Sequence, residues 1–73
     1  MNKKQRAQVV ELLRCGAYCG NTWTAAREIG ADIKVCNLAY SAIADTDHEP
    51  FSFESRRDLY LEAAARVENM EWP

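Results

Sequence analysis

Between residues 3 and 19 the apolar positions Val9, Val10, Leu12, Leu13, Gly16 and Ala17 gather on one side when projected at about 100° per residue, while Lys4, Glu11 and Arg14 fall opposite. A segment patterned in this way is stable only as an amphipathic helix whose apolar side is covered. In a chain of 73 residues the cover comes from a few other short helices around one small core. The 48% hydrophobic and 27% charged content is sufficient for such a core, and no linker, repeat or low-complexity stretch divides it.

The remaining punctuation is helical as well. Gly20 and Asn21 suit a left-handed stop and a new start, and Asn21, Thr22 or Thr24 can cap a second helix ending at Ile29. Gly30 then supplies the positive φ of a second stop, and Asp32 opens a third helix through about residue 44. That helix buries a set drawn from Val35, Cys36, Leu38, Ala39, Ala42 and Ile43. Residues 45–52 read as a loop limited by Pro50, with Ser52 or Ser55 available as the next N-cap, and Ser55 with Asp58 has capping-box spacing for a last helix to about residue 70. Its main stripe is Leu59, Tyr60, Ala63, Val67 and Met70, with Leu61 and Ala65 nearly opposite and Trp72 extending that second side. The expected fold is all-α, a small three- to four-helix bundle with a helix-turn-helix-like centre, forming a single domain over residues 1–73. The second stripe on the last helix raises the expectation of a homodimer.

Charge is unevenly distributed. Residues 1–34 carry a net charge of plus three and residues 35–73 of minus five, an asymmetry able to steer association with a charged partner. The apolar positions after the basic start are interrupted by Glu11 and Arg14, so they form no signal-peptide core, and no run approaches the roughly twenty apolar residues of a membrane span. A cytoplasmic location is expected, with no membrane partner. Three cysteines cannot all pair within the chain, and free thiols are the expected state.

Cys15, Cys19, Cys36 and His48 could be read as a zinc set, but their spacing is poor: the first pair flanks a helix end and Cys36 falls where the third helix wants a small apolar residue. Asp45, Asp47, His48 and Glu49 lack the fixed ligand spacing and central glycine of a calcium loop. No metal and no cofactor is expected. The single histidine has no nucleophile and orienting group in a recognisable arrangement, and no phosphate-binding, dinucleotide or metalloprotease motif occurs, so no catalytic residue is assigned.

The most informative local pattern runs over residues 24–39 and resembles a helix-turn-helix. Ala25 and Ala26 lie in the first helix, where small Ala26 permits a close crossing; Ile29 and Gly30 stand at the turn that Gly30 makes, Asp32 opens the second helix, and Cys36 takes its small or branched core position. The corresponding DNA-reading residues would be Arg27, Lys34, Asn37 and Ser41, a sparse set of cations for phosphate binding.

Two segments, AQVVELLRC at residues 7–15 and LEAAARVENMEWP at residues 61–73, resemble the beginning and end of small uncharacterised proteins encoded in bacteriophage and prophage genomes. That resemblance implies the cytoplasm of an infected bacterium and, by analogy of size, an anti-defence role such as that of anti-CRISPR proteins. The leading expectation is therefore a non-enzymatic module that inhibits or modulates a bacterial host or defence protein, for example a CRISPR-Cas component, at a surface that a nucleic acid would otherwise use. Its expected contacts are Asp45, Asp47 and Glu49 with the aromatics Tyr18, Trp23, Tyr40 and Trp72. The alternative is a helix-turn-helix transcriptional regulator bound to DNA.

Overall fold

The structure, a computed structural model, describes residues 2–47 and 55–69. Four helices account for most of them: α1 (Lys3–Cys19), α2 (Thr22–Ile29), α3 (Ile33–Asp47) and α4 (Arg56–Asn69). The described residues contain no strand. The fold is thus all-α, a small bundle.

Side-chain caps set the helix starts. Asn2 and Gln5 form a reciprocal capping box at α1, with the Asn2 Oδ1 accepting from the Gln5 amide at 2.8 Å and the Gln5 Oε1 accepting from the Asn2 amide at 3.1 Å. Asn21 caps α2 by accepting from the Thr24 amide at 2.7 Å, Asp32 caps α3 through the Val35 amide at 3.0 Å, and Ser55 caps α4 through the Asp58 amide at 3.2 Å. Gly20 at φ 88° and Gly30 at φ 69° end α1 and α2 in the left-handed conformation that a side chain would oppose.

The central element is α1, which touches the other three helices and packs most extensively on α4. Its Val9, Leu12 and Leu13 are fully buried and supply most of the core volume, joined by Val35 from α3. Ala25, Ala26, Ala39, Ala63 and Ala64 fill the facing positions, small residues that let the helices approach closely. A second cluster of Ala17, Leu59 and Tyr60, continued by Ile43 and Leu61, closes the end of the bundle where α1 finishes and α4 begins. The described part of the chain measures 30 × 29 × 15 Å.

Two expectations change. The third helix continues to Asp47, so Asp45 and Asp47 lie on α3 and not in a loop. Thr46 is the reason: its side chain is buried, and its Oγ1 donates to the Ala42 carbonyl at 2.8 Å, so the core-facing register persists past Ala44. Pro50 lies too far downstream to stop the helix earlier, because a proline restricts only itself and its immediate predecessor. The second stripe of α4 is also narrower than its pattern suggests, since Leu61 packs partly against the Ala17–Leu59–Tyr60 cluster. His48, Glu49, Pro50, Met70 and Trp72 lie outside the described residues.

Candidate interaction surface

Burial of Ala25 and Ala26 turns the opposite side of α2, with Trp23 and Arg27, toward solvent. On α3, Val35 and Ala39 face inward, which leaves Ile33, Asn37 and Tyr40 outward at spacings of four and three residues. The turn at Gly30 and Ala31 folds these faces side by side. Together Trp23, Arg27, Ile33, Asn37 and Tyr40 line a shallow depression of about 360 Å³ whose floor includes Ala26 and Cys36. Trp23 is 70% exposed, Ile33 71% and Tyr40 45%. Large apolar side chains grouped this way on a small chain constitute a patch with the composition of an interface centre.

The sequence-based DNA residues fall on the same side. Lys34, Asn37 and Ser41 line an adjoining depression of about 390 Å³ with Gln5 and Leu38, and Asn37 belongs to both depressions. Arg27, Lys34, Asn37 and Ser41 are all exposed. Neither Arg27 nor Lys34 is held in an ion pair among the described residues. The surface therefore has an apolar centre and a rim with two available cations.

Other expected contacts are placed elsewhere. Tyr18 is 74% exposed, but its ring lies beneath the Arg57 guanidinium, 5.1 Å from the ring centroid, and it borders a separate open cavity of about 720 Å³ along α1. At the middle of that cavity Arg14 pairs with Glu68, tying α1 to α4. Asp45 is exposed near Arg66 and Asn69 in a depression between α3 and α4, away from Trp23 and Tyr40. Of the expected contacts whose side chains are described, Tyr18, Trp23, Tyr40 and Asp45, only Trp23 and Tyr40 are brought together. Ile33 joins them, and its signal was legible: it stands roughly 200° around the helix from Val35, opposite the core stripe.

The sulfurs of Cys15 and Cys19 lie 3.5 Å apart on the last turn of α1, whereas Cys36 faces the α2–α3 depression. All three are free thiols. The hydrogen bond with Cys19, partial burial and the carboxylates of Glu28 and Glu11 hold the Cys15 thiol above its ordinary range. Among the described residues no three or more of His, Cys, Asp and Glu are grouped to enclose a metal ion, and no described helix is long and apolar enough to cross a membrane.

No protein-family model, curated protein or solved structure matches the chain.

Proposed function

We propose that this chain is a non-enzymatic binding module that captures a protein through the outward face of α2 and α3. The carrying observation is the cluster of Trp23, Ile33 and Tyr40, three large apolar side chains left open to water on adjacent helices. Removing such a side chain from water contributes about 1.5–3 kcal/mol each when burial is complete, enough to make them the dominant contacts of a small interface. Arg27 and Lys34 at the rim fit a partner whose apolar contact is bordered by carboxylates. Asp45, with Asp47 and Glu49 following it in sequence, would serve a different, basic part of the partner. The resemblance of residues 7–15 and 61–73 to phage-encoded proteins supports a bacterial cytoplasmic setting and a host or defence protein, such as a CRISPR-Cas component, as the target.

The test is affinity capture from nuclease-treated bacterial lysate with the native chain and a Trp23→Ala, Tyr40→Ala variant of equal helicity. The expected result is one stoichiometric protein retained by the native chain and lost from the variant. Equal retention by both would remove this face from the reading.

One feature favours a second reading. The three residues Gly30, Ala31 and Asp32 between α2 and α3, the inward Ala25 and Ala26, and the outward Lys34, Asn37 and Ser41 form a helix-turn-helix arrangement able to address duplex DNA. That reading requires duplex binding that falls steeply with salt and weakens in an Arg27→Ala, Lys34→Ala variant.

A further inference from the structure

The last turn of α1 carries a second chemistry, independent of the α2–α3 face. Cys15 and Cys19 are four residues apart, so their side chains leave the same face of the helix, and their sulfurs meet at 3.5 Å. Cys19 is exposed, and Cys15, half-buried, borders the open cavity along α1. Direct oxidation to a disulfide suits this pair poorly. A disulfide needs sulfurs about 2.0 Å apart and Cβ atoms roughly 3.5–4.5 Å apart, whereas residues four apart on a helix hold their Cβ atoms at about 5–6 Å. Closing the bond would pull the helix turn out of shape.

A bridging atom fits without that distortion. With metal–sulfur bonds of about 2.3 Å and a tetrahedral angle, two thiolates on one zinc-like ion are roughly 3.8 Å apart, within a few tenths of an ångström of the observed separation. Glu11 and Glu28 line the same cavity as Cys15. They add negative potential that favours a cation, and the open cavity leaves room for its remaining ligands. Lys3 and Arg6 border the cavity too, but on the first turn of α1, more than two helical turns from Cys15. The nearer Arg14 is paired with Glu68.

We propose that Cys15 and Cys19 form a two-thiolate site for a closed-shell, thiophilic divalent cation of the zinc type. Binding releases the two Sγ–H protons to solvent as two metal–sulfur bonds form, with no change of oxidation state. The chain supplies two ligands and leaves the other two tetrahedral positions to water or to a partner's donors. Cys36 lines the separate α2–α3 depression and takes no part.

The experiment titrates Cd²⁺ into the full chain, kept reduced with a phosphine, and follows the ultraviolet thiolate-to-metal charge-transfer band. One equivalent should saturate the native chain and Cys36→Ser, while Cys15→Ser and Cys19→Ser should each weaken binding at least about tenfold. A second measurement uses the unaltered sequence: Cd²⁺ should shield Cys15 and Cys19 from alkylation and leave Cys36 reactive. Absence of the band at stoichiometric Cd²⁺, or equal loss in Cys36→Ser, would overturn the site. So would alkylation of Cys15 and Cys19 at an unchanged rate.

Discussion

At Gly16 the chain shows how much a single missing side chain decides. The Tyr60 ring packs against the bare backbone there, and a Cβ added to Gly16 would meet its Cδ2 and Cε2 at 3.0 Å. Tyr60 is only 3% exposed, and its hydroxyl accepts from the Arg56 guanidinium at 3.4 Å while the same cation sits 5.6 Å from the ring centroid. The ring is therefore poorly placed to retreat. Replacing a mid-helix glycine by alanine normally stabilises by about 1 kcal/mol, but overpacking a filled core costs about 1–3 kcal/mol. Gly16→Ala should accordingly lower stability by about 1 kcal/mol, seen as a melting temperature reduced by about 4–8 °C. A Tyr60→Leu background should turn that loss into a gain, and a more stable Gly16→Ala single variant would contradict the contact. The apolar face containing Gly16 was readable from periodicity alone, because α1 has one dominant partner face. Its contact with Tyr60 was not, since two helices far apart in sequence must meet before either residue has meaning.

The elements themselves were legible wherever a short-range signal fixed them. Asn21, Gly30 and Asp32 act through hydrogen bonds or dihedral freedom within three residues, and each appears in the structure in the role its chemistry suggests. The end of α3 was not legible, because it depends on whether Thr46 finds a buried, satisfied environment, which is a tertiary question. An element as short as α2 cannot hold itself together, so its caps and its packing on α1 and α3 must carry it. Asn21→Ala removes a cap and should destabilise by about 1 kcal/mol. Gly30→Ala has open space around the new Cβ, yet the left-handed backbone should cost about 1–2 kcal/mol. Urea titration followed by circular dichroism should show both as lower midpoints with an unchanged slope. A Gly30→Ala variant as stable as the native chain would show that the turn does not need its positive φ.

At the scale of the molecule, the large polar and aromatic side chains among the described residues lie at or near solvent, Tyr60 excepted, while small alanines fill much of the core. The binding function proposed above depends on how these surfaces are arranged. The sequence indicated which residue types were available for contact, but it put Tyr18 first among the aromatics and grouped it with Trp23 and Asp45, whereas the bundle distributes the three over different sides. Tyr18 is matched internally by Arg57, Asp45 borders α4, and Trp23 gathers with Ile33 and Tyr40. Sequence patterning could not make that separation, because it depends on the crossing of α2 and α3 at Gly30. The α2–α3 face can be tested as a contact surface through Trp23 itself. In a Trp72→Phe background, acrylamide quenching of the remaining tryptophan would be measured for the free chain and for the chain bound to the protein it captures. Efficient quenching in the free chain and a several-fold drop in the complex is the expected result; quenching unchanged on binding would contradict the assignment of this face.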